Sequence, residues 1–351
     1  MTIGEKSMGK ILTISIAAYN VEQYIGQALD SLIDERIIDD LEIFVVDDGG
    51  TDKTLDIAKR YAEKYPDSIF PVHKENGGYG STINTSVRLA TGKYFKQLDG
   101  DDWFDKDNLY RFVELLKTID VDMVATESIT FNVIDNTQEK WSTTGNLKAG
   151  EYNFNDIILG NVISMYSSTF RTSIFKNNNI VITEHCFYTD VEYASLPIPY
   201  VNRFYVCCFP IYCYRVGREG QSVSIEGIKK HFKEQQKVLF NLMRMYMNID
   251  NISKNKQNLL LKRIVIETAN QFKYLCYLPM SKSSYNEIKD FYKKVNESYP
   301  AIIQIVLKEK LFVKLFAYTN GFAYPLMRFI TILYLKGLLK PILKLKRLLK
   351  K

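Results

Sequence analysis

The chain has 351 residues, 46% hydrophobic and 25% charged, with a mean hydropathy of −0.16. That balance excludes intrinsic disorder and collagen-like repetition, and at roughly 150 residues per domain the length predicts two domains. The net charge of +6 is local: eight basic residues and no acidic one lie between Gly321 and Lys351, so the remainder is slightly acidic and no nucleic-acid partner is expected.

Met1–Lys10 holds no apolar run, so no signal peptide is expected. Ile11–Ala18 is a β-branched apolar run ending at Tyr19-Asn20, which predicts a buried strand and a turn. Val21–Ile33 has helical spacing. Leu41–Val46 predicts a second strand, stopped by Asp47-Asp48-Gly49-Gly50. Thr54–Tyr65 predicts a helix, Ile69–His73 a strand, Asn76–Gly80 a loop and Ser81–Ala90 a helix. Lys93–Leu98 predicts a fourth strand, ending at Asp99-Gly100-Asp101-Asp102. This alternation predicts a mostly parallel central sheet with helices on both faces, an α/β fold.

Beyond residue 120 the pattern loosens. Val121–Thr126 predicts a strand, Glu127–Asn155 polar loops and edge strands, and Phe154–Leu159 and Ile174–Asn178 short helical pieces. Thr189–Ile198 predicts a helix and Phe204–Arg215 an extended run. Ile228–Tyr246, Lys256–Tyr277 and Ser284–Glu297 predict helices, so the domains are expected at 1–226 (α/β) and 227–351 (helical, with a basic amphipathic tail). Five cysteines and three histidines show no disulfide framework or zinc spacing. No run of 18 uncharged apolar residues predicts a membrane span.

Ligands of open α/β sheets lie at the carboxyl ends of the strands. Three of the four strand ends here carry polar side chains: Tyr19 and Asn20; Asp47 and Asp48; and Asp99, Asp101 and Asp102. Turn formation alone accounts for one such end. Five carboxylates on one edge repel one another unless a cation intervenes.

ISIAAYN (14–20), EIFVVDDGGTDKT (42–54), NGGYGSTIN (76–84), ATGKYFKQLDGDDWF (90–104), TDVEY (189–193) and YRVGREGQSVS (214–224) occur in order. Together they resemble the family 2 glycosyltransferases of GT-A fold, bacterial cell-surface polysaccharide type, over residues 11 to 226. The resemblance implies a nucleotide-sugar donor, a divalent Mn2+ or Mg2+, and inverting transfer to a glycan or lipid-linked acceptor. Asp99-Gly100-Asp101 matches the family's D-x-D motif, which implies that Asp101 holds the metal and that Asp99 faces the ribose or the metal. Asp102 is expected to cap a helix or support the motif from behind.

Tyr19 and Asp48 match the nucleobase site, the ring to stack uracil and the carboxylate to accept its imide N–H. Asn76 and Gly77 match a donor loop leading into a helix N-terminus, which attracts anions. Ile83 stands where the family carries an Arg. Asp190 matches the catalytic base, with Thr189 replacing the family's Glu. Glu192 and Glu184 are the alternative bases, Glu184 and His185 are close enough in sequence to join the metal or acceptor site, and capping is the structural role open to Asp190. Arg215 and Arg218, with Gln221 and Ser222, form a polar loop suited to a diphosphate. Trp103 is expected to stack an acceptor sugar or pack beneath the site. A catalytically silent binding protein of the same fold is the competing reading.

In the tail, Leu338, Ile342, Leu345 and Leu349 recur at helical spacing among Lys344, Lys346, Arg347 and Lys350. A basic amphipathic helix of this kind lies on anionic membrane. The protein is accordingly expected in the cytoplasm, peripherally on the inner face of the cell membrane.

Overall fold

The structure is a computed structural model that describes residues 9–218 and 224–335. In chain order the elements are β1 (Leu12–Ala18), α1 (Ile25–Asp30), β2 (Leu41–Asp47), α2 (Thr54–Lys64), β3 (Ile69–His73), α3 (Tyr79–Leu89) and β4 (Tyr94–Asp99). There follow β5 (Trp103–Phe104), α4 (Lys106–Thr118), β6 (Met123–Asn132), β7 (Thr137–Trp141), β8 (Gly150–Asn153), β9 (Ser168–Arg171), α5 (Thr172–Asn177), α6 (Asp190–Ser195) and β10 (Arg203–Val216). The helices α7 (Ile225–Asn248), α8 (Lys254–Leu275), α9 (Lys282–Ser298), α10 (Pro300–Glu309), α11 (Leu311–Tyr318) and α12 (Tyr324–Leu335) complete the described chain.

The sheet runs β3-β2-β1-β4-β9-β6-β10-β5, with β7 on β6 and β8 on β10. The β3-β2-β1-β4 half is parallel, as the alternation predicts. β9 enters antiparallel between β4 and β6, and β6 pairs parallel with β10. Residues 168–171 are too short to announce a central strand in the sequence, yet Thr169 and Phe170 are buried. The first helix is shorter than predicted, six residues within the run Val21–Ile33.

β1, β2 and β4 are largely apolar because both faces are covered. Lys96 is their buried cation: it is fully buried on β4, and its Nζ donates to the carbonyls of Tyr166 (3.1 Å) and Ser168 (3.3 Å). Burial lowers its pKa to about 7.

Two compact units divide the chain: residues 1–219 with 248–260, and residues 220–247 with 261–351. The sequence reading expects a single boundary at residue 226, whereas residues 248–260 group with the first unit. There Lys256 donates to the Pro199 carbonyl (3.0 Å) and Asn255 to that of Asn155 (2.6 Å). The second unit packs around Phe240, Phe272, Phe291 and Phe316, whose rings meet at centroid separations of 5.2–6.0 Å.

Candidate active site

The adjacent ends of β1, β2 and β4 build the site. After β1, Tyr19 stands 54% exposed. Asn20, at φ 51, accepts from the amides of Thr51 (2.8 Å) and Asp52 (3.3 Å) and so ties the first strand end to the second. Asp47 ends β2, buried, with its carboxylate on His73 Nδ1 (2.6 Å) and the Gly50 amide (3.2 Å).

Asp48 is also buried. It accepts from Lys74 Nζ (2.7 Å), the amides of Gly77 (2.9 Å) and Gly78 (2.8 Å), and Ser81 Oγ (3.2 Å). The sequence reading gives this carboxylate to a nucleobase; in the fold it also holds the 76–78 loop, because β2 ends directly beside that loop's amides. Asn76 Nδ2 donates to the Asp48 carbonyl (2.9 Å), and the Gly77 carbonyl accepts from the His185 amide. Gly78, at φ 78, then turns the chain into α3 without a side-chain cap.

Tyr79, the first residue of α3, joins this loop to the acidic cluster: its hydroxyl donates to Asp99 Oδ1 (2.5 Å). Asp99, Asp101 and Asp102 each offer an oxygen within 4.8 Å of the others. Tyr212 on β10 donates to Asp102 Oδ2 (2.7 Å) and accepts from the Asp99 amide (3.1 Å). The Arg215 amide donates to Asp102 Oδ1 (2.7 Å). Asp102 therefore supports the motif from behind, while Asp105 caps α4 by accepting from the Asn108 amide.

The Arg215 guanidinium reaches the Asp101 carbonyl (2.8 Å) and Gln27 (2.6 Å), lying 4.7 Å from the Trp103 ring centroid. Trp103 also meets Phe131 edge-on, which makes it part of the packing around Arg215. Arg218 pairs with Asp101 Oδ2 at 2.5 Å. Gln221 and Ser222 lie outside the described residues.

Electrostatics follow from this crowding. Burial, then the neighbouring charge of Asp101, pushes Asp99 up to about 7, and Asp190 adds to the shift. Burial and the charges of Asp99 and Asp101 likewise raise Asp102. Tyr79, Tyr166 and Tyr212 are raised, chiefly by burial. The site thus crowds hard oxygen donors whose ionised forms disfavour one another, a donor set that fits a hard divalent cation.

Asp190 is the first residue of α6. Its charge acts on Asp99, Tyr79 and Tyr166, so the fold brings it to the same end of the sheet. Glu192 is buried and holds the Thr183 amide (2.7 Å) and hydroxyl (2.9 Å). Glu184 is held by Asn84 Nδ2 (3.0 Å). Asn84 also pairs both ways with Ile182, so the 182–186 segment is fastened to α3.

Residue-by-residue reading missed Tyr79, Lys74 and Tyr212. Tyr79 sits inside the NGGYG segment, a signal within reach. Tyr212 and Tyr214 alternate along β10, but only strand pairing reveals what they face.

The sequence model of the family described as glycosyl transferase family 2 matches residues 13–191, just over half of the chain. A stretch of 127 residues, 35% of this chain, is 34% identical to the minor teichoic acid biosynthesis protein GgaB of Bacillus subtilis (strain 168), of which it covers 14%. The matched stretch is thus a small part of that relative's length. Among solved structures, S. aureus TarS 1–349 in complex with UDP-GlcNAc superposes with a TM-score of 0.67 at 18% identity, over 93% of this chain and 92% of that one. The mannosyltransferase PcManGT from Pyrobaculum calidifontis, in complex with GDP-Man and Mn2+, gives 0.54 at 15% identity, over 93% and 87%. These likenesses establish the GT-A fold. With the motifs in order and the family match across the strand ends that carry them, the chain belongs to glycosyl transferase family 2.

Proposed function

We propose that this protein is an inverting glycosyltransferase, moving a sugar from a UDP-sugar to a hydroxyl of a glycan or lipid-linked acceptor in cell-surface polysaccharide synthesis. The observation that carries the reading is the gathering of Asp99, Asp101 and Asp102 at the end of β4, with Asp190 acting on the same cluster. The teichoic acid role in GgaB's name and the UDP-GlcNAc bound to TarS support the polymer and the donor.

Tyr19 offers an exposed ring for the base to stack on. Asp48, Asn76 and Gly77 shape the donor loop and the helix N-terminus behind it. Arg215 braces the D-G-D turn, and Arg218 beside Asp101 is the guanidinium nearest to a diphosphate held there. Asp99 and Asp101 would hold Mn2+ or Mg2+, whose charge, when bound, offsets that of the departing diphosphate. Asp190 takes the acceptor's hydroxyl proton. The acceptor oxygen then attacks the anomeric carbon opposite the diphosphate, and the breaking C–O bond leaves its electron pair on UDP. The basic tail supports peripheral contact with the anionic inner face of the cell membrane.

Thr189 in place of the family's Glu, and buried Ile83 in place of its Arg, favour one competing reading, a donor-binding protein without turnover. Assaying UDP-sugars with and without manganese separates the two. Asp190→Asn is expected to lower transfer by ~10²–10⁴-fold with donor affinity kept, and Asp101→Ala to abolish manganese-dependent donor binding. Near-normal turnover in Asp190→Asn, or binding of donor without turnover in the natural chain, would overturn the reading.

A further inference from the structure

Within the helical unit, α12 is built inside out. Tyr324, Met327 and Thr331 form its buried face, with the Tyr324 hydroxyl on the Leu275 carbonyl (3.3 Å) and Arg328 Nε on that of Leu278 (2.8 Å). The opposite face is apolar as well: Phe322 is 83% exposed, Leu326 52%, Phe329 59% and Ile330 40%. Every exposed residue from Phe322 to Ile330 is apolar, Pro325 included. A helix on a water-facing surface has polar residues there. A grouped apolar surface of this kind marks an interaction site. The exposed Leu311 and Tyr318 of α11 add to the apolar surface of this region.

The chemistry of the partner follows from charge. From Lys310 to Lys351 there are ten Lys and Arg residues and no Asp or Glu. A second copy docked face to face would set like charge against like charge across a two-fold axis. An anionic lipid surface supplies what is missing: acyl chains for the aromatic and aliphatic side chains, phosphates for the flanking cations. No helix among the described residues is long and apolar enough to cross a membrane, so the mode is contact in the interface plane. We propose that the exposed face of α12 and the preceding turn at Phe322 form an insertion surface for an anionic phospholipid bilayer. The proposal rests on the membrane reading of the basic tail and adds the apolar element that charge alone lacks.

The test is flotation of the full chain with phosphatidylglycerol–phosphatidylcholine vesicles, beside the triple variant Phe322→Ser, Leu326→Ser, Phe329→Ser and a chain ended at residue 335. The triple variant is expected to lose about tenfold or more in vesicle partition with an unchanged melting temperature. The shortened chain is expected to lose the salt-sensitive part of binding and keep a weaker, salt-insensitive part. Phe322→Trp is expected to shift its indole emission to the blue with vesicles, a readout that survives if the triple variant misfolds. Triple-variant binding equal to the natural chain, or an unmoved emission from Phe322→Trp, would sink the insertion surface while leaving the tail reading intact. Equal binding by the shortened chain would instead remove the tail. Self-association abolished by the triple variant, without vesicle binding, would assign the face to a second copy.

Discussion

Tyr212 shows how one phenol holds an acidic turn in shape. It donates to Asp102 and accepts from the Asp99 amide, so one oxygen bridges both ends of the Asp99–Asp102 turn. The ring is fully buried, against Phe104 (5.6 Å between centroids) and Tyr166 (4.8 Å). Tyr212→Phe preserves that packing and removes only the oxygen. A buried carboxylate deprived of its donor costs ~1–3 kcal/mol, and the loosened turn is expected to weaken manganese binding. Calorimetric titration with manganese and a urea melt read the two effects separately. Stability lost with manganese affinity unchanged would reduce Tyr212 to a packing role. The same scale shows a structural duty for Asp48: Lys74, two amides of the 76–78 loop and Ser81 of α3 all donate to it, and no inspection of the dipeptide Asp47-Asp48 reveals them.

At the scale of elements, α3 and the 182–186 segment are fastened so closely that a methyl group is excluded. A Cβ built on Gly80 falls 2.1 Å from the Thr183 carbonyl oxygen and 2.9 Å from an Ile182 methyl. Gly80→Ala must therefore push the segment away, and with it the His185 amide that holds the Gly77 carbonyl. Overpacking of this kind costs ~1–3 kcal/mol, and donor affinity is expected to fall too, since the loop beside Asp48 shifts. Gly160→Ala is the control, with open space around its Cβ and an expected change within ~0.5 kcal/mol. Chemical denaturation of both variants with UDP titration checks this; equal stability would mean that the segment moves freely.

At the scale of the whole molecule, the compact units are not consecutive in the chain. Residues 248–260 belong with the first unit, although α7 and most of α8 belong with the second. A chain ended at residue 226 therefore loses part of its own α/β unit, including the Lys256 and Asn255 bonds to the Pro199 and Asn155 carbonyls. Each such bond contributes ~1 kcal/mol, and at about 2–4 °C per kcal/mol the shortened chain is expected to melt several degrees lower. Scanning calorimetry of the two chains measures it. An α/β transition at the same temperature in both would place residues 248–260 energetically with the helices.

The parallel half of the sheet, the order of its helices and the acidic strand ends are all local patterns, set by apolar runs of strand length broken at Asp, Asn and Gly. The sequence by itself therefore determined the fold class, the family and the edge of the sheet at which the acidic strand ends gather. Tertiary structure decided the rest. Strand β9 is four residues long, with no periodicity to read, and only its seat between β4 and β6 makes it central. Lys96 looks like a surface residue until the Tyr166 and Ser168 carbonyls are brought over it. Glu192 and Asp190 lie two residues apart on a short helix, so their sequence positions are nearly equivalent. Helical geometry points them apart, and the fold buries one against Thr183 while bringing the other within electrostatic reach of Asp99. Which carboxylate acts on the acidic cluster and which serves as structure is fixed by contacts between residues distant in the chain, which sequence patterns do not encode.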